Sequence, residues 1–271
     1  PMDRIMLPLR QMGAEVEGRD GRFPPLAIRG GALHAIDYAL PVASAQVKTC
    51  VLLAGLYADA ATTVREPVPT RDHTELALRE FGARVEKKGP AITVQPRPAL
   101  RGRQLRVPSD LSSAAFFLAA ALVTPDSSLL VEGVGLNPTR SHLLDFLISM
   151  GGKIEIRNLA ATGGELAGDL LARSSRLRGG VIEGAATAAL IDEIPVLAVL
   201  GAASEEGLAV RDARELRLKE TDRIATVADN LGRMGAAVEV WEDGFTVPGG
   251  QKLRAARLDS FGDHRIAMAC A

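Results

Sequence analysis

The chain has 271 residues, 32 basic and 33 acidic for a net charge of −1, and 47% of it is hydrophobic. That balance leaves no overall basic field to hold nucleic acid or an anionic membrane, and the length suits roughly two globular domains. The longest apolar run, AAFFLAAALV at 114–123, falls well short of the ~18 residues that span a bilayer.

In chain order, the first predicted element is a helix in PMDRIMLPLRQMGA, whose end LRQMGAEVE (9–17) recurs as LREFGARVE (78–86), LISMGGKIE (147–155) and LGRMGAAVE (231–239). The glycines Gly13, Gly82, Gly151 and Gly235 stand 69, 69 and 84 residues apart, a period suited to a multi-element α/β unit. Each copy predicts an amphipathic helix that stops at a glycine in the left-handed conformation and is followed by an alternating strand. A second helix type lies between them: ASAQVKTCVLLAGLYA (43–58), SDLSSAAFFLAAALV (109–123), IDEIPVLAVLGAA (191–203) and the start of DHRIAMACA (263–271). These are apolar nearly all round with polar first residues, as helices enclosed by neighbours must be. Strands are predicted in ATTVRE (61–66), AITVQP (91–96), LRVP (105–108), SSLLVEG (127–133), GLAVRDA (207–213) and GFTVPGG (244–250).

The fold class is therefore α/β, one unit used repeatedly. The basic, Pro-containing stretch RPALRGRQLRVPSD (97–110) reads as a domain crossing, giving domains 1–107 and 108–271. The glycine-rich insertion at 158–184 reads as a surface loop plus a strand. Cys50 and Cys270 sit in apolar helical runs without paired spacing, which favours reduced, buried thiols in a cytoplasmic protein. Both ends of the chain read as cut, so an internal piece of a longer protein is expected.

Cations recur where the amphipathic helices begin: Arg71 in PTRDHTE, Arg140 in NPTRSH, and Lys219 and Arg223 in LRLKETDR. The apolar helices add Lys48 and Arg265. A cation at a helix N-terminus opposes the macrodipole unless an anion lies between them, so an anionic ligand is indicated. The simpler reading has weight at several positions. PTRDHTE is a good cap with Glu75 in its first turn, and Arg140 reads still more readily as a cap-region cation. His34, His73 and His142 show no metal-ligand spacing. KETDR is denser: Lys219 and Arg223 would share a helical face, with Glu220 paired to Arg223. Asp192 and Glu193 precede an apolar helix, where a desolvated carboxyl group can serve as general acid or base.

ASAQVKTCVLLAGLYA, PTRDHTE, SDLSSAAFFLAAA, LIDEIPVLAV, ELRLKETDRI and GDHRIAMA, in this order over essentially the whole chain, closely resemble the EPSP synthase (3-phosphoshikimate 1-carboxyvinyltransferase) family. The resemblance implies two pseudo-threefold domains of βαβαββ units, incomplete here at both ends, with helix N-termini pointing into a cleft. It implies transfer of the enolpyruvyl group from phosphoenolpyruvate to the 5-hydroxyl of shikimate 3-phosphate, without metal or organic cofactor, by a protein that is monomeric when complete and binds neither nucleic acid nor membrane.

Residue by residue, the resemblance makes Asp192 the acceptor of the hydroxyl proton and Glu220 a participant in proton transfer to the enolpyruvyl carbon. Lys219 would contact the shikimate hydroxyls, and Arg223 and Arg265 would grip phosphoenolpyruvate. Ser44, Ala45, Gln46 and Arg71 would surround the shikimate phosphate. Ala45 replaces the second serine of many members, so only its backbone can act there, and Glu215 stands where some members have asparagine. Other binding segments of the family would lie before Pro1 and after Ala271, so this chain alone is expected to have little or no activity. Two alternatives stay open: the related transferase acting on UDP-N-acetylglucosamine, and a non-catalytic βαβαββ module binding RNA or protein. The latter lacks a basic, aromatic-studded face, with 4% aromatic residues.

Overall fold

The computed structural model describes residues 1–271, the side chain of Thr162 excepted. The chain forms two compact units, Pro1–Arg106 with Thr162–Glu165, and Val107–Ala161 with Leu166–Ala271. In unit 1 the order is α1 (Asp3–Gln11), β1 (Glu15–Arg19), β2 (Phe23–Arg29), β3 (Asp37–Ala39), α2 (Ala45–Gly55), β4 (Thr62–Arg65), α3 (His73–Glu80), β5 (Val85–Lys88) and β6 (Ala91–Val94). Strands β1 and β2 form an antiparallel pair. The other sheet runs β3-β4-β6-β5, with β3 parallel to β4 and the remaining pairs antiparallel.

Unit 2 continues with α4 (Leu111–Val123), β7 (Ser128–Gly135), α5 (His142–Ser149), β8 (Lys153–Thr162), β9 (Glu165–Arg173), β10 (Gly179–Ile182), α6 (Ala185–Leu190), α7 (Ile194–Ala203) and β11 (Gly207–Val210). A short 3-10 helix at Arg214–Leu218, then α8 (Arg223–Arg233), β12 (Glu239–Trp241), β13 (Gly244–Val247) and α9 (His264–Cys270) complete it. One sheet has the order β7-β9-β8 and the other β10-β11-β13-β12. The latter reproduces the sheet of unit 1 strand for strand, parallel pair first and antiparallel hairpin after. The repeated βαβαββ unit implied by the family resemblance is thus the building block.

The repeat motif works through its glycine. Gly13, Gly82, Gly151 and Gly235 have φ of 95°, 97°, 96° and 86°, where a side chain would be strained. That reversal lets the next residue's N–H return to the leucine that opens each motif: Ala14 to Leu9, Ala83 to Leu78, Gly152 to Leu147 and Ala236 to Leu231, at 2.8–3.0 Å. The bond is the 6→1 closure of a Schellman turn, and it aims the chain from helix into strand.

The apolar helices lie in the cores. Leu111, Ala114, Ala115, Leu118 and Leu122 of α4 join Ile194, Leu197, Ala198 and Leu200 of α7 in the core of unit 2, while Val47, Val51 and Leu52 of α2 pack with Val64, Ile92 and Val94 in unit 1. Three local expectations differ. LRVP (105–108) is not a strand, because the parallel pairing there shrinks to a single bridge between Ser109 and Val134. The insertion at 158–184 supplies the end of β8, all of β9 and β10, strand content hidden by its many glycines and weak alternation. Cys50 and Cys270 are free as expected but only half-buried, and burial raises both thiols above their ordinary value.

Candidate active site

In unit 1 the polar start of α2 stands beside the segment leading into α3. Ser44 caps α2, its Oγ accepting from the Val47 N–H at 3.4 Å. Ala45, Gln46 and Thr49 of that first turn, with Arg71, His73 and Thr74, line a cavity of about 320 Å³. Thr49 and Thr74 close its floor through a hydroxyl contact of 2.6 Å. Arg71 and Gln46 are exposed. Three of the four residues expected around a phosphate therefore share one hollow, next to a helix N-terminus whose free N–H groups favour an anion, and the fourth caps that helix.

Lys48 belongs elsewhere. It is wholly buried, with Nζ 2.7 Å from Glu75 Oε1 and 3.0 Å from Glu66 Oε1. Glu66 also accepts from the N–H of Thr70 at 3.1 Å and from its hydroxyl. The lysine is consumed by two carboxylates and is not a ligand cation, and Glu75 is its partner rather than a solvent-facing cap residue. The triad links α2, the end of β4 and α3, and through Thr70 it holds the residue next to Arg71.

In unit 2 the polar ends of α7, α8 and α9 converge. Arg223, the first residue of α8, is 1% exposed. Its Nε donates to Asp263 Oδ2 at 2.8 Å and its Nη2 to Glu220 Oε2 at 2.6 Å. Its Nη1 lies 3.5 Å from Asp192 Oδ1 and makes no hydrogen bond among the described residues. Arg265 donates through Nη1 to the carbonyl of Asp192 at 3.0 Å, with Nη2 3.8 Å from its carboxylate. Asp263 caps α9 by accepting from the Arg265 N–H at 2.9 Å. Desolvation pushes the Asp263 carboxyl up, but the bonds from Arg223 and from backbone N–H groups outweigh it and hold the group below the usual range.

Arg140 completes the cluster. Its Nη2 donates to the Ser112 hydroxyl and lies 3.4 Å from Glu193 Oε1, while its Nη1 is 4.0 Å from Asp192. The Ser112 hydroxyl in turn donates to Glu193. The cap-region reading of Arg140 fails because the segment before α5 turns it inward; a cation in the same repeat position as Arg71 was the only signal for it. Asp192, Glu220, Arg223 and Arg265 do come together. Lys219 instead pairs with Glu215 at 2.5 Å, and residues 219–222 form a turn before α8 rather than helix. Arg217 fastens this turn, donating to Asp222 at 2.7 Å and to the Trp241 and Glu242 carbonyls, both also at 2.7 Å. The helix-start cations read from the sequence do not stand alone: four carboxyl groups share the cluster with three arginines. Among the described residues no group of His, Cys, Asp and Glu is placed to hold a metal ion.

Repeated βαβαββ units that bring acidic and guanidinium side chains together at helix starts define an α/β protein with a clustered ion-pair site. Comparison with known proteins gives the family. Residues 1–271 match EPSP synthase (3-phosphoshikimate 1-carboxyvinyltransferase). The chain is 64% identical over 271 residues to the 3-phosphoshikimate 1-carboxyvinyltransferase of Solibacter usitatus, and 50% identical over 272 residues to that of Desulforudis audaxviator. It covers 64% and 63% of those proteins, and they match 100% of it. The EPSP synthase structure from Acinetobacter baumannii superposes with a TM-score of 0.91 at 41% identity, over 99% of this chain and 63% of that one. The chain belongs to the EPSP synthase family and spans less than two thirds of the length of these relatives.

Proposed function

We propose that the chain supplies substrate-binding surfaces for transfer of the enolpyruvyl group of phosphoenolpyruvate to the 5-hydroxyl of shikimate 3-phosphate, with release of phosphate. The observation that carries this reading is Arg223 Nη1: a buried guanidinium donor without a hydrogen bond, beside Asp192 and Arg265. Buried donors are nearly always satisfied, and an anion's oxygen would satisfy this one. Arg223 and Arg265 then bind phosphoenolpyruvate, as guanidinium forks suit carboxylate and phosphate.

Asp192 accepts the hydroxyl proton, its carboxylate steadied by the surrounding guanidinium groups. Glu220, with about half its side chain exposed, takes part in proton transfer to the methylene carbon. Lys219 exchanges Glu215 for the shikimate hydroxyls. In unit 1, Ser44, the Ala45 backbone, Gln46 and Arg71 hold the shikimate phosphate at the start of α2. The polypeptide is monomeric and cytoplasmic in this reading, and no helix among the described residues is long and apolar enough to cross a membrane. The chain alone has little turnover, since it spans only part of its relatives.

Calorimetric titration tests the assignment. Shikimate 3-phosphate is expected to bind and UDP-N-acetylglucosamine is not; the opposite preference would overturn the substrate. Robust phosphate release from phosphoenolpyruvate by the chain alone would overturn its dependence on further segments.

A further inference from the structure

In unit 2 the guanidinium groups of Arg140, Arg223 and Arg265 face the carboxyl groups of Asp192, Glu193, Glu220 and Asp263. Fully ionised, the cluster carries one negative charge in excess before any ligand arrives. A bound anion adds more, and like charges brought together out of water repel strongly. A site of this composition accommodates an anion when one carboxyl group becomes neutral.

The four carboxyl groups are not equally suited to that change. Glu220 has 52% of its side chain exposed, so water screens its charge. Asp263 accepts from Arg223 and from the Arg265 N–H, bonds that favour the ionised form. Asp192, 20% exposed, lies against all three arginines. Glu193 differs from each. Its side chain is 4% exposed, and the guanidinium groups of Arg140 and Arg265 stand at 3.4 and 3.6 Å without donating a hydrogen bond to it. Among the described residues only the Ser112 hydroxyl donates to its carboxyl group. Ser112 comes from α4, Arg140 from the segment before α5, Arg265 from α9 and Asp192 from the same turn; from α8, which also packs on α7, Arg223 turns its guanidinium to Asp192. Burial is the largest influence on it and lifts its carboxyl above the ordinary value against the opposing pull of Arg140, Ser112 and Arg265.

We propose that Glu193 is the proton-accepting group of this anion site: when an anion settles among the arginines, Glu193 takes up one proton from solvent. The proton returns to solvent when the anion leaves, so nothing is consumed. The inference rests on the reading of this cluster as the phosphoenolpyruvate site and adds a role for its neighbour in sequence.

The test is calorimetric titration of this chain with sulfate, a divalent anion that does not itself titrate near neutral pH, and then with phosphoenolpyruvate, in buffers of different ionisation enthalpy. Binding with uptake of up to one proton, and affinity that rises as pH falls, is expected. Glu193→Gln should bind sulfate without uptake and with affinity independent of pH. Arg140→Met serves if the glutamine variant does not fold: removing that cation lifts Glu193 further, so uptake should move to higher pH. Sulfate binding without proton uptake, or uptake retained in Glu193→Gln, overturns the proposal and leaves the anion site standing. Failure of both anions to bind removes the site reading itself, and the proposal with it.

Discussion

Replacing Lys48 by methionine should be among the most damaging single changes in unit 1. The side chain is wholly buried and within 2.7 and 3.0 Å of two carboxylates that are themselves nearly inaccessible. Methionine fills most of the volume, so the loss is electrostatic: two carboxyl groups remain in the interior with their common partner gone. Removing one member of a buried ion pair destabilises by about 3–5 kcal/mol, and a lysine serving two partners belongs at the upper end, about 4–5 kcal/mol. That is a large part of the ~5–15 kcal/mol that holds a typical domain folded. Adding Glu75→Gln removes one stranded charge and should restore about 2 kcal/mol, a coupling of the size seen between contacting residues. Glu66 would keep its bonds from Thr70 and has Lys87 at 3.9 Å. Urea unfolding should be followed together with amide exchange in α2, because two units need not melt as one. A Lys48→Met variant within about 1 kcal/mol of the parent, or one made worse by Glu75→Gln, would refute the reasoning.

Gly55→Ala tests packing against propensity. Alanine is favoured over glycine by about 1 kcal/mol inside a helix, yet a Cβ at Gly55 would sit 2.8 Å from Thr62 Cβ and 2.9 Å from Val94 Cγ1. Overpacking by about 1–3 kcal/mol should prevail, and thermal unfolding at or above the parent's midpoint would show that α2 can move off the sheet. Asp263→Asn keeps a cap for α9 but loses the charge facing Arg223. A loss of about 2–3 kcal/mol is expected at neutral pH. Because the folded carboxyl lies below its ordinary value of 3.8, the parent's advantage is complete above that value and disappears as pH falls through the folded value. Denaturant titrations across pH that show the gap widening on acidification would contradict this.

The repeats, their glycine turns and the apolar helices could be read from the sequence because each rests on contacts within a few residues: the Leu9 carbonyl and the Ala14 N–H, or the Asp110 carboxylate and the Ser112 and Ser113 N–H groups. What could not be read depends on distant pairing. Nothing in ASAQVK shows that Glu66 and Glu75 will converge on Lys48, and nothing in NPTRSH shows that Arg140 will meet Glu193. KETDR has helical spacing, yet Arg217 ties it to the β12–β13 hairpin and the helix waits until Arg223. A shared site for Asp192, Arg223 and Arg265 was implied by the family resemblance; their own spacing shows three polar helix starts, which the topology brings together.

The apolar helices α2, α4 and α7 leave one coordinate unspecified. A cylinder greasy on every side has little reason to prefer one rotational phase, or one axial setting, over another nearby. Its polar tip supplies that reason: Ser44 and Asp110 bind the first turns of α2 and α4, and Glu193 anchors α7 through Ser112. Each rod is indexed at that extremity, and α7 also at its far end, where the Ser204 hydroxyl donates to the Gly201 carbonyl and accepts from the Gly207 N–H. The clustered charged side chains share the polar extremity, so mutational drift along the rods can reshape their middles while the cluster keeps its alignment.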